Sequence, residues 1–219
     1  MTPSAIATGW WAMEPSRSPE PSLTPVDGQR LVDMAESAIA AALRRGSTGR
    51  ADPAGHQPPL STLPPALRQP AGAFVTLRVD TALNGCIGTV RCVEPLGHLI
   101  GRLALAAAFH DPRLPPLRAT DLARLHVEVS VLGEPAPVPA GSRADLLGQL
   151  RPGRHGLVLE AGARRGVFLP SVWQQVRDPG TFVDRLLAKA GLAAEPWPLD
   201  LAASTFTARS FHGVTRHST

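Results

Sequence analysis

Leu125-His126-Val127-Glu128-Val129-Ser130-Val131-Leu132 repeats with a period of two, and that repeat decides the class of the fold. Successive side chains of an extended chain point to opposite faces. Leu125, Val127, Val129 and Val131 therefore face one way, and His126, Glu128, Ser130 and Leu132 the other. A strand with one apolar face belongs to a sheet that covers a core on that side.

Its partners follow from the flanking chain. Upstream, residues 73–79 read as a strand, 80–84 as a turn and 85–92 as a returning strand. Pro95 opens a helix to about residue 109 that buries Leu96, Leu99, Ile100, Leu103 and Ala107. Asp111-Pro112 stops it, because a residue before proline avoids the helical region. Further upstream, Thr24-Pro25 is a cap followed by a first-turn proline. The helix it starts carries Val26, Leu31, Met34, Ala35, Ala38, Ile39, Ala42 and Leu43 on one stripe and ends at Gly46.

Downstream, Pro135, Pro137 and Pro139 read as a rigid linker, and Ser142 caps a helix to about residue 150. Residues 155–160 and 164–169 form a hairpin around Ala161-Gly162-Ala163. Pro170 opens a short helix containing Trp173, Asp178-Pro179 starts a longer one ending at Gly191, and residues 204–211 make a last strand. Hairpins alternating with helices give an α+β fold, a mixed and largely antiparallel sheet flanked by helices. The expected organisation is a disordered tail over 1–23, one domain over 24–211 and a tail over 212–219. A flexible proline-rich loop at 47–70 interrupts the domain. Trp10-Trp11 is the odd feature of the first tail, read as packing onto the domain or as a partner-docking anchor.

Composition supports a folded core. The 219 residues are 43% hydrophobic and 18% charged, and a chain of this size buries roughly 70% of its unfolded surface. The net charge of +4 is carried almost wholly by arginine; Lys189 is the sole lysine and tyrosine is absent. That bias matches a GC-rich coding sequence, and the arginines are scattered without a basic stripe, so nucleic-acid binding is disfavoured. No signal peptide or membrane-spanning run is present, and Cys86 and Cys92, placed on one strand, are too far apart along it to bridge. A reduced, cytoplasmic protein is the expectation.

Two places combine the residue types that do chemistry. Cys86 lies between Gly85 and Ile87-Gly88, where the backbone accepts close approach. Such a cysteine is a nucleophile where a cation or histidine stands near it, and a small buried hydrophobe otherwise. His110-Asp111-Pro112-Arg113 follows a helix C-terminus, which favours positive charge. A proline-stiffened Asp–Arg turn suits an anion clamp or a simple capping ion pair. His126 and Glu128 share a strand face, but no compact ligand motif accompanies them and no metal is assigned. Arg164 and Arg165 face either an acidic ligand or Glu160 across the hairpin. Walker, dinucleotide and Gly-x-Ser-x-Gly motifs are absent.

These residues carry a resemblance. Leu83-Asn84-Gly85-Cys86-Ile87-Gly88-Thr89 resembles the Leu-Arg-Gly-Cys-Ile-Gly-Thr signature of AMMECR1 domains. Pro70-Ala71-Gly72-Ala73-Phe74-Val75-Thr76-Leu77, Phe109-His110-Asp111-Pro112-Arg113-Leu114-Pro115-Pro116-Leu117 and Arg165-Gly166-Val167-Phe168-Leu169-Pro170-Ser171-Val172-Trp173 continue it in order, as do Leu125–Leu132 and His155-Gly156-Leu157. The resemblance implies a main sheet with helices and a smaller subdomain, the signature residues lining a cleft between them. It also implies companions: in the bacterial AmmeMemoRadiSam system, where the family supplies protein A, these are a Memo-like protein related to extradiol dioxygenases and a radical S-adenosylmethionine protein. Asn84 departs from the signature, which carries arginine there.

The expected site is therefore Cys86 and His110 as catalytic candidates, with Asn84, Gly85, Gly88, Asp111, Arg113, Glu128 and Arg165 binding substrate or an anion. The functional alternatives are a thiol-dependent enzyme or enzyme component, a non-catalytic adaptor binding a partner protein or peptide in its cleft, and, least favoured, a nucleic-acid binder. The cofactor is unassigned.

Overall fold

Two four-stranded antiparallel sheets, each with its own helices, stand where the sequence suggested one. The structure is a computed structural model that describes residues 22–46 and 57–213. Trp10-Trp11, the first half of the proline-rich loop and residues 214–219 lie outside the described residues.

The first sheet joins β1 (Ala73–Val79), β2 (Ala82–Thr89), β3 (Leu125–Leu132) and β8 (Ala208–His212) in the order β2-β1-β3-β8. The period-two alternation of β3 places Val127, Val129 and Val131 beside Val75 and Leu77 on the buried face. Helices α1 (Pro25–Arg44) and α3 (Leu96–Phe109) cover that face with Leu31, Ile39, Leu99, Ile100 and Leu103. Each such fully buried aliphatic side chain contributes roughly 1.5–3 kcal/mol. Thr24 caps α1 in a reciprocal box: its hydroxyl accepts from Asp27 N–H, and the Asp27 carboxylate accepts from Thr24 N–H.

The second sheet joins β4 (Ala136–Val138), β5 (Gly156–Ala161), β6 (Arg164–Phe168) and β7 (Ala202–Phe206) in the order β4-β7-β5-β6. Its core is Leu157, Leu159, Leu186 and Phe182, the last stacked on Trp173 with ring centroids 3.8 Å apart. Helices α4 (Arg143–Gln149) and α5 (Pro179–Ala190) supply the cover, capped by Ser142 and Asp178. Gly191 ends α5 in the left-handed region at φ 72, where a glycine carries no side-chain penalty.

The chain crosses between sheets twice, at residues 133–135 and at Thr207. The crossings are pinned together: Gly133 N–H donates to the Thr207 carbonyl at 2.9 Å. A Cβ on Gly133 would lie 2.7 Å from Thr207 Oγ1, so a larger residue there would have to displace that hydroxyl. A small apolar cluster of Val90, Leu132, Val158 and Phe206, with Phe74, Val167 and Leu169 against it, joins the two lobes.

Four sequence expectations are corrected. The last strand is two strands in two sheets, broken at Thr207. The proline linker contains β4, an edge strand whose Pro137 needs no ladder N–H on its open side. The first hairpin turns at Asp80 (φ 54) and Thr81, so β2 spans Ala82–Thr89; it starts earlier than expected, and Cys92 lies beyond it. Residues 57–70, expected as flexible loop with a short turn at 66–68, hold that turn as α2 (Pro65–Arg68) and add a 3-10 turn at Leu60–Thr62, with Leu63 and Leu67 buried in the first core.

Candidate functional site

Strand β2 is an edge, so the outward peptide groups of Cys86 need partners that no strand supplies. Gly85 makes their supply possible. A Cβ there would sit 2.0 Å from the Ala107 carbonyl, so β2 lies directly on the last turns of α3. That contact sets the turn after α3 alongside Cys86.

The turn then acts as a surrogate strand. Cys86 N–H donates to Asp111 Oδ2 at 2.9 Å, and the Cys86 carbonyl accepts from Arg113 Nη2 at 2.8 Å. Asp111 also accepts from Arg113 Nε at 2.8 Å, Nη2 at 2.7 Å and the backbone N–H at 3.1 Å. The Asp111 side chain is 1% exposed and the Arg113 side chain 57%. The Arg113 guanidinium, with the Cys86 N–H behind it, holds the Asp111 carboxyl well below the usual carboxylate range against the opposing effect of burial. Asp111 in turn raises the Arg113 pKa. The expected anion clamp is thus first a clamp on the cysteine's own peptide.

The Cys86 side chain is half-buried on the face of the first sheet turned away from the α1–α3 core. Thr76 is directly opposite on β1, and its hydroxyl donates to Sγ at 3.5 Å. Register carries the same row on to Glu128 on β3 and His212 on β8. Ser130 Oγ donates to Glu128 Oε1 at 3.2 Å and pairs with Ser210 Oγ at 2.8 Å. Cys86, Thr76, Glu128 and the two serines form a polar floor beside the apolar joint of the two lobes.

Lys189 on α5 was missed. Its Nζ donates to the Val167 carbonyl at 2.8 Å and lies 5.1 Å from the Phe168 ring centre. Burial holds its pKa below the usual lysine range; the charge also interacts with Cys86, which opposes the shift, and with Arg113, which adds to it. The one available signal was compositional: every other cationic side chain of the 22 is arginine.

Other expected residues are placed differently. His110 is the exposed C-cap residue of α3 and makes no side-chain hydrogen bond among the described residues. Arg165 pairs with Glu160 at 3.1 Å, the cross-strand alternative. Gly88 lies under Phe74, whose ring would be 2.2 Å from an added Cβ. Asn84 donates to the Pro115 carbonyl at 3.3 Å, tying β2 to the loop beyond Arg113, while its Oδ1 is buried without a partner. Among the described residues, no group of three or more His, Cys, Asp or Glu side chains is placed to hold a metal ion. No described helix is long and apolar enough to cross a membrane. Grooves of about 960 Å³ beside Pro70 and Cys92, and of about 540 Å³ between α1, α3 and Pro58, lie away from Cys86. The chemistry of the side chains, not the size of a cavity, singles out the β2 site.

Comparison with known proteins agrees with this architecture. The AMMECR1 family profile matches residues 32–211. A protein of Methanothermobacter thermautotrophicus is 39% identical over 167 residues, covering 76% of this chain and 83% of that protein. A protein of Thermofilum pendens is 40% identical over 152 residues, covering 64% and 71%. The crystal structure of an uncharacterized protein from Pyrococcus horikoshii superposes with a TM-score of 0.73 at 34% identity, covering 84% of this chain and 90% of that one.

Proposed function

The chain belongs to the AMMECR1 family, and from that premise we propose that it is a thiol-dependent enzyme, or the thiol-bearing component of one, with Cys86 as nucleophile. The observation that carries the proposal is the way Cys86 is held. A buried carboxylate and a guanidinium fix its peptide while its sulfur stays accessible and accepts a hydroxyl hydrogen bond. Fixing a nucleophile through its backbone leaves the side chain aimed at little entropic cost. The Arg113 guanidinium donates to the Cys86 carbonyl, so the peptide that carries the thiol is held by a charged group.

In this reading Sγ forms a bond to an electrophilic carbon of the substrate, the thiol proton passes to solvent, and the bond to the leaving group breaks with its electron pair. Asp111, Arg113, Gly85 and Asn84 position the β2 backbone. Thr76 orients the sulfur, and Glu128 stands one strand further as the acid–base group of the floor. His110, exposed at the end of α3, is the weaker partner for the thiol. The Memo-like and radical S-adenosylmethionine companions rest on the family resemblance alone, and the cytoplasmic setting on the two free thiols.

Exposure to p-nitrophenyl acetate tests the proposal. A burst of nitrophenolate with acetylation confined to Cys86, lost in Cys86→Ser, is the expected result. Equal release by the Cys86→Ser protein would remove it.

A further inference from the structure

The first sheet ends in two edges, β2 and β8. At β2 the turn after α3 takes up the outward peptide groups of Cys86. The edge at β8 is different. In an antiparallel pair, residues bonded across the ladder alternate with residues whose peptide groups point away from it. Gly133 N–H donates to the Thr207 carbonyl and Gly213 N–H to the Val127 carbonyl, which sets that alternation for β3 and β8. Arg209 and Phe211 therefore bond to β3, while Ala208, Ser210 and His212 turn their N–H and C=O groups outward. Among the described residues those outward groups make no hydrogen bond. A bare edge of this kind is a template for another extended chain.

The edge opens on a groove of about 530 Å³ between the two lobes. Ala208 and Ser210 line one side of it, and Gly153, Trp173, Gln174 and Arg177 of the second lobe line the other. Trp173 is held from behind: its Nε1 donates to the His155 carbonyl at 2.6 Å and its ring stacks on Phe182. Arg177 is exposed and makes no ion pair among the described residues. The turn that supplies Gly153 carries Arg151 and Arg154, exposed and unpaired in the same sense. No carboxylate lines the groove, and Asp178, next to Arg177, turns its own to the N–H and hydroxyl of Thr181.

A free strand edge, a fixed opposite wall and unbalanced positive charge together fit an extended acidic peptide. Its main chain would pair with the edge, and its carboxylates with the arginines. A nucleic acid matches the charge but brings no peptide groups for the ladder. We propose that an acidic segment of a partner protein adds to β8 as a fifth strand of the first sheet, its carboxylates meeting Arg177 and the Arg151–Arg154 turn. This docking is independent of the thiol, because Cys86 lies on the opposite edge strand.

The test is amide NMR of the full-length protein, titrated with a pool of acetylated octapeptides that carry glutamate at alternate positions and random residues between. The amides of Ala208, Ser210 and His212 should shift and gain protection from exchange, while those of Arg209 and Phe211, already bonded to β3, keep theirs. Arg177→Glu should weaken binding about tenfold, the equivalent of one charge-assisted hydrogen bond, with an unfolding midpoint near wild type. A pool with alternate backbone nitrogens methylated should not bind. Absence of binding by the glutamate pool, undiminished binding by the methylated pool, or shifts that do not distinguish outward from bonded residues would overturn the proposal. So would binding of a single-stranded oligonucleotide in the peptides' stead, which makes the arginines a nucleic-acid surface. Protection of the three outward amides before any peptide is added would overturn it too, the edge then being occupied by the chain itself or by a second copy.

Discussion

The backbone N–H of Cys86 donates to Asp111 Oδ2 at 2.9 Å, although 25 residues and a whole helix separate the two in the chain. This single contact joins the edge of the first sheet to the end of α3. Through Arg113 it also satisfies the Cys86 carbonyl.

Replacing Asp111 by Asn should cost about 2–3 kcal/mol, the range for losing charge-assisted hydrogen bonds to a buried partner. The folded-state pKa of Asp111 is depressed, so its stabilisation is complete above the unfolded carboxylate value of about 4 and is lost as pH falls through the folded value. Urea melts of the two proteins should therefore differ most at neutral pH and converge in acid.

Gly85→Ala places a methyl 2.0 Å from the Ala107 carbonyl, against backbone that has no side-chain freedom to give. Destabilisation of about 2–3 kcal/mol follows. Hydrogen exchange should rise at the Cys86 amide as the Asp111 contact opens.

Thr76→Val keeps the shape and removes the hydroxyl that donates to Sγ. Stopped-flow alkylation of Cys86 should slow about fivefold, the equivalent of one neutral hydrogen bond, with the midpoint of thermal unfolding nearly unchanged.

His155 supplies a second pH signature, far from the thiol. Burial is the main cause holding its pKa below the usual value, and its Nδ1 is buried without a hydrogen-bond partner among the described residues. Stability from keeping it neutral is fully present above about pH 6.5 and is lost as pH falls toward the folded value. His155→Leu should flatten the stability profile below about pH 6.5, read by chemical denaturation.

Local signals were legible wherever one element carried its own instructions. Thr24-Pro25, Ser142 and Asp178-Pro179 each announced a helix, and each caps one. The Leu125–Leu132 alternation announced a strand with one apolar face, and Val127, Val129 and Val131 do face the core, but Ser130 and Leu132 are buried on the opposite face as well. The division into two sheets was not legible, because it depends on Thr207 and Gly133 meeting across 74 residues of chain, and no local pattern encodes that meeting. The site divides in the same way. Cys86 and its glycines stood out by type, and Asp111-Pro112-Arg113 by its turn chemistry, but that the turn would bind the cysteine's own peptide required the fold. Lys189 contacts nothing near it in sequence that hints at chemistry; only the packing of α5 on β6 brings it to the Val167 carbonyl and the Phe168 ring.

Cys86 and Cys92 provide a control within one molecule, since both are free and half-buried. Their surroundings differ: Cys86 Sγ accepts from Thr76 and its peptide is held by Asp111 and Arg113, whereas the Cys92 thiol lies 3.6 Å from a Glu94 oxygen that Arg102 also engages. The most direct measurement is limited alkylation of the native protein at neutral pH with isotope-coded iodoacetamide, both sites quantified by mass spectrometry in one sample. Cys86, with its peptide fixed and its sulfur accepting from Thr76, should be labelled at least about tenfold faster than Cys92. Equal labelling, or faster labelling of Cys92, would contradict it.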